Sequence, residues 1–148
     1  MSMFEIVFSP TGGTEKVSGL VTGTLDGNIV TVDLTDSGLD FHGVSMAKGD
    51  VAVISVPSYA GRVPAVAVER LGMVRGNGAR AVLVCVYGGR AFEDTLIELE
   101  DVAKRAGFRV VAAVSAIAEH SVARQFAAGR PDAQDVAQLS EFAQRIRQ

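Results

Sequence analysis

At 148 residues, 48% hydrophobic and 21% charged, the chain has the length and apolar content of one domain, residues 1–148, built around a sizeable core. A net charge of −3 with 14 scattered lysines and arginines leaves no basic footprint, so no nucleic-acid partner is expected. The single cysteine, Cys85, excludes an internal disulfide, an iron–sulfur cluster and a cysteine-rich zinc site. No metal centre is therefore expected, and redox chemistry would need a bound organic cofactor. No apolar run approaches the roughly 18 residues of a membrane span, and the first residues lack the charged and apolar parts of a secretory leader. The expectation is a cytoplasmic protein without a membrane partner.

In chain order, Phe4 to Phe8 is a short apolar run, followed by the loop Ser9 to Thr14 and a helical stripe of Val17, Leu20, Val21 and Leu25. Ile29 to Leu34 reads as a second strand. Ser37 to Gly49 reads as a loop with a turn around His42 and Gly43. Val51 to Val56 is a third strand, leading through the loop Pro57 to Val63 into a short helix after Pro64, a residue suited to a first helical turn. Ala81 to Tyr87 is a fourth strand, followed by the loop Gly88 to Asp94. The next helix spans about Phe92 to Ala106 with Leu96, Leu99 and Ala103 inward, and Gly107 stops it. Arg109 to Ile117 is the fifth strand. Beyond it, Ala118 to Asp132 has room for a short helix before a last one carrying Val136, Leu139, Phe142 and Ile146.

Most of these apolar runs are continuous rather than alternating, the pattern of strands buried on both faces. Alternating strands and helices predict a parallel sheet covered on both sides. Such sheets bind ligands beyond the carboxyl ends of their strands, at a topological switch point. Three loops then become candidates: those after the first, third and fourth strands.

The first loop lies in "FSPTGGTEKV", residues 8–17. A strand, a glycine-bearing turn and a helix start aim free amides and the positive end of the helix dipole at one point, which attracts an anion. Gly12 and Gly13 allow close backbone approach, and the hydroxyls of Ser9, Thr11 and Thr14 can donate to a phosphate. The segment has neither the GxxxxGK(S/T) spacing nor GxGxxG, and Lys16 is expected to point outward, so one terminal phosphate suits it better than a nucleoside triphosphate. The simpler alternative is that Thr11 or Thr14 caps the helix, which accounts for one hydroxyl only.

"SPTGGT" resembles the flavodoxin phosphate-loop pattern Ser/Thr-x-Thr-Gly-x-Thr, with Ser9, Thr11, Gly12 and Thr14 at the matching positions. "VPSYAGRVP", "VYGGRAFED", "AEHS" and "GRPD" extend the likeness along the chain. They resemble the flavodoxin-like domains fused to two-cluster ferredoxins, although the cysteine-rich ferredoxin part is absent here. The resemblance implies a three-layer α/β/α sandwich with a five-stranded parallel sheet in the order 2-1-3-4-5. It also implies FMN as cofactor, its phosphate held by hydroxyls and amides without a counter-charge.

On that likeness the other two loops would surround the flavin ring. Pro57, Ser58, Tyr59, Ala60 and Gly61 form the first, with Tyr59 stacking on the ring and Gly61 free to turn a peptide carbonyl toward it. Alternatively Tyr59 closes the core and Gly61 only turns the chain. Tyr87, Gly88, Gly89 and Arg90 form the second. Arg90 either approaches the ring edge or pairs with Glu93 or Asp94. His120 would share the same rim, in contact with the ring, with a docking partner or with nearby backbone.

Two catalytic readings fail. "CVYGGR" is one residue short of a C-x5-R phosphatase loop, and Cys85 falls inside an apolar strand, where burial raises the thiol pKa and limits access. His120 and Ser121 are sequence neighbours only, and a hydrolase would also need an orienting acid and an oxyanion site. No catalytic side chain is expected. The expected function is an FMN electron carrier, monomeric or weakly dimeric, serving redox partner proteins such as a separate ferredoxin or reductase. The alternative is an FMN-dependent NAD(P)H:quinone or small-acceptor reductase; a third reading is an interaction module that has lost the flavin.

Overall fold

The computed structural model describes residues 3–10, 14, 18, 29–58, 62–87 and 93–117. Five strands form one parallel sheet: β1 (Met3–Val7), β2 (Ile29–Asp33), β3 (Val51–Pro57), β4 (Arg80–Tyr87) and β5 (Arg109–Ile117). Their order is β2-β1-β3-β4-β5, as the likeness implied. Each of the five runs read from the sequence is a strand. All seven residues of β3 are buried, which is why that segment lacks a polar alternate position.

The helices described are α1 (Ala65–Leu71) and α2 (Glu93–Arg105). Pro64 occupies the cap position of α1 rather than its first turn, with φ −55° and ψ 135°. Ala67 and Leu71, four residues apart, face the core. α2 buries Thr95, Leu99, Val102 and Ala103. Leu96, expected inward, is only half-buried, so the stripe is rotated by one position and a threonine enters the core. Gly107 ends this segment as expected: at φ +97° its amide donates to Lys104 O at 3.0 Å, while Phe108 N donates to Ala103 O at 3.0 Å. These two bonds form a Schellman cap. The expected turn at His42 and Gly43 is a single 3-10 turn, Phe41–Gly43, in which the Asp40 side chain accepts from His42 N.

The register sorts the sheet into two faces. Phe8, Ile6, Val32, Ala52, Ile54 and Val56 point to the side of α1 and α2 and share one apolar cluster with Ala67, Leu71, Leu99, Val102 and Ala103. Glu5, Val7, Val53 and Ser55 point to the other face. Thr14 and Ser18 are helical, and Ser18 is hydrogen-bonded to Glu5 and Ser55 on that second face. Helical backbone thus covers both sides of the sheet. The stripes from Val17 to Leu25 and from Val136 to Ile146, and the segment from Ala118 to Asp132, lie outside the described residues.

Candidate functional site

The order β2-β1-β3 means that the chain leaves β1 toward one side and enters β3 on the other, so a switch point lies between β1 and β3. At their carboxyl ends three segments run side by side. Phe8 N donates to Ser55 O at 3.0 Å, and Ser58 N donates to Val86 O at 2.9 Å. The exits of β1, β3 and β4 are thereby held together, and they are the exits that carry the three candidate loops.

Ser9 lies two residues past the end of β1, after Phe8, and is half-buried; Pro10 beside it is exposed. Thr14 is 4% exposed in helical backbone. A capping residue has extended backbone, so Thr14 belongs to the helix body rather than to the cap. Pro57 is buried as the last residue of β3, paired with Val86, one position inside the sheet from where the loop was expected to start. Ser58 is half-buried, and its hydroxyl lies 2.7 Å from the Thr95 hydroxyl of α2. Tyr87 ends β4 opposite Ile117. Thr11, Gly12, Gly13, Tyr59, Ala60, Gly61, Gly88, Gly89, Arg90 and His120, together with Lys16 and Ser121, lie outside the described residues.

Two anchoring groups escaped the sequence reading. Thr95 and Glu98, three residues apart on α2, bracket the segment between Ser58 and Arg62. Glu98 receives Arg62 Nε at 3.1 Å, Arg62 Nη2 at 2.7 Å and the Val63 amide at 2.8 Å. The Arg62 guanidinium bonded to Glu98 holds this carboxyl below its ordinary pKa, with the Val63 amide acting in the same direction against partial burial. The signal available in the sequence was the i, i+3 spacing of two polar residues on an otherwise amphipathic helix. The other missed residue is Glu5, the one charge in the apolar run from Met3 to Phe8, which is 8% exposed on β1.

Cys85 is fully buried in β4, and burial pushes its thiol up to about 12. A thiolate nucleophile is excluded at neutral pH, as the sequence implied. Among the described residues no group of three or more His, Cys, Asp or Glu could hold a metal ion. None of the described helices is long and apolar enough to cross a membrane. An open depression of about 510 Å³, lined by His42, Arg75, Asn77 and Arg105 among others, lies at the amino edge of the sheet, remote from the three loops.

No family model and no curated protein sequence matches the chain. Solved structures do. Oxidised flavodoxin 1 from Bacillus cereus superposes with a TM-score of 0.68 over 97% of this chain and 95% of that one, at 15% identity. The chain has the flavodoxin fold. Within that fold, Megasphaera elsdenii flavodoxin gives a TM-score of 0.62 at 17% identity, covering 97% of this chain and 99% of that one. An azoreductase from Bacillus anthracis gives 0.66 at 12% identity, covering 99% and 98%. A flavodoxin fold in this chain therefore rests on shape, sheet order and coverage rather than on sequence identity.

Proposed function

We propose that this chain binds FMN at the carboxyl edge of its sheet and carries electrons between redox proteins. The observation that supports it most is the hydroxyl-bearing exit of β1, with half-buried Ser9 and buried Thr14, set beside β3 at the switch point. Neutral donors at a strand–turn–helix junction suit a phosphate monoester. FMN, when bound, supplies reversible one- or two-electron transfer.

The chain's own residues bind and orient. Ser9, Thr11, Gly12, Gly13 and Thr14 hold the phosphate. Pro57, Ser58, Tyr59, Ala60 and Gly61 form one wall beside the ring and Tyr87, Gly88, Gly89 and Arg90 the other. Thr95 and Glu98 fix both ends of the first wall. No side chain acts as acid, base or nucleophile. The partners are separate redox proteins, a ferredoxin or a reductase in class, and the chain works as a monomer or weak dimer in the cytoplasm.

The azoreductase likeness favours a second reading, in which the same site serves an FMN-dependent NAD(P)H reductase of quinones or other small acceptors. Titration of apoprotein with FMN and with riboflavin, read by flavin fluorescence, tests the site. FMN should bind much the tighter because only it carries the phosphate; equal affinities would overturn the assignment. NAD(P)H oxidation by the loaded protein without a protein partner, dependent on a small acceptor, would select the reductase.

A further inference from the structure

Glu5 is a carboxylate on a central strand, covered by protein and 8% exposed. Burying a carboxylate costs several kcal/mol unless hydrogen bonds compensate, and apolar residues of similar volume are commonly as stabilising or more so. The compensation here is directional. Ser55 Oγ on β3 donates to Ser18 Oγ at 2.8 Å, and Ser18 Oγ donates to Glu5 Oε2 at 2.7 Å. Thr31 Oγ1 on β2 approaches Glu5 Oε1 at 3.4 Å, a longer and weaker contact. Ser18 and Ser55 are both fully buried.

This chain of hydroxyls ties three adjacent strands to one point on a helix. Thr14 and Ser18 are both helical and four residues apart, the spacing of one turn, so what fixes Ser18 along the sheet also bears on where Thr14 stands relative to Ser9. Val7 and Val53, beside Glu5 and Ser55 on the same face, offer no such register, because apolar contacts are non-directional. We infer that Glu5 is a positioning residue for phosphate recognition: through Ser18 it sets where the helical backbone of Thr14 and Ser18 stands against the end of β1. The inference rests on the FMN reading above. It assigns Glu5 no contact with the cofactor.

Charge and position make opposite demands. Any negative charge on this carboxyl would repel a bound phosphate, so removing the charge alone would not weaken FMN. Losing the positioning would loosen it. The test compares wild type, Glu5→Gln, and Glu5→Val combined with Ser18→Ala. The double variant removes both partners of the Glu5–Ser18 bond together but leaves the buried Ser55 hydroxyl without its acceptor, so some stability is lost and riboflavin affinity serves as the internal control. Each protein is titrated with FMN and with riboflavin, and its thermal unfolding is followed without flavin.

The double variant should still fold, with a lower unfolding temperature than wild type, and lose about tenfold of its preference for FMN over riboflavin, the equivalent of one hydrogen bond's worth of misplacement. Glu5→Gln keeps an acceptor for Ser18 and removes the charge, so its preference should equal or exceed that of wild type. An unchanged or increased preference in the double variant would overturn the inference. If the double variant does not fold, Glu5→Gln decides between the two effects together with Ser18→Ala: a lower preference in Ser18→Ala supports positioning, an unchanged one refutes it. A wild type that fails to prefer FMN would instead defeat the assignment of the site.

Discussion

Arg62 and Glu98 are joined by two parallel hydrogen bonds, Nε to Oε1 at 3.1 Å and Nη2 to Oε2 at 2.7 Å, with the Val63 amide sharing Oε1 at 2.8 Å. The arginine side chain is 71% exposed and the glutamate 21%, so the ion pair alone contributes little. The added amide bond makes it a tether between the end of the candidate ring loop and α2. Replacing Glu98 by Gln should cost about 1–2 kcal/mol in denaturant unfolding and speed hydrogen exchange at the Val63 amide.

The same pair predicts a pH dependence. Because the folded pKa of Glu98 is depressed, its stabilisation is present above the unfolded carboxylate pKa and is lost as pH falls through the folded value. Wild type should therefore lose Val63 amide protection on acidification below the ordinary carboxylate range. Glu98→Gln should lack that component, and matching acid profiles for the two proteins would count against the tether.

Thr14 offers a test of the phosphate site. Thr14→Val keeps the buried volume and removes the hydroxyl, so FMN affinity should fall by about 1.5–3 kcal/mol if the hydroxyl donates to a charged phosphate. Riboflavin affinity should hardly change. Isothermal titration with both ligands measures the two values, and a parallel loss for both would point to a folding defect.

Cys85 should resist thiol reagents in the native protein near neutral pH. Its thiol lies fully buried with a pKa near 12, so labelling must wait for unfolding or local opening. Mass spectrometry after a brief maleimide pulse should find the native protein unmodified and the denatured protein labelled once.

Gly76 is expected to tolerate no side chain. A Cβ there would lie 2.6 Å from Phe108 N and 2.7 Å from Gly107 C, both backbone atoms of the turn that ends α2. Its own amide donates to Ala106 O at 2.8 Å, so it cannot move away without breaking that bond. Gly76→Ala should destabilise the protein by about 2–3 kcal/mol, measured by chemical denaturation.

Much of the fold was legible because strands buried on both faces must be apolar throughout. Val51 to Val56 and Ala81 to Tyr87 have no other comfortable place in a protein of this length. Gly107 was legible for a local reason, since a Schellman turn needs a residue with positive φ. Leu96 was misjudged because helical periodicity alone cannot fix the rotation of α2 to within one residue. That rotation depends on what the opposing sheet offers, and here Ser58 offers a hydroxyl to Thr95.

The sequence by itself determined the order of the described strands and helices, the parallel sheet and the three strand ends from which the candidate loops leave its carboxyl edge, because these follow from periodicity and turn chemistry over a few residues. Only the tertiary structure decided that Glu5, Ser18 and Ser55 meet, and that Glu98 holds Arg62 and Val63. Those contacts join positions 13 to 37 residues apart. Directional hydrogen bonds depend on distances of a few tenths of an ångström, which strand register and helix placement set together and which no local pattern encodes.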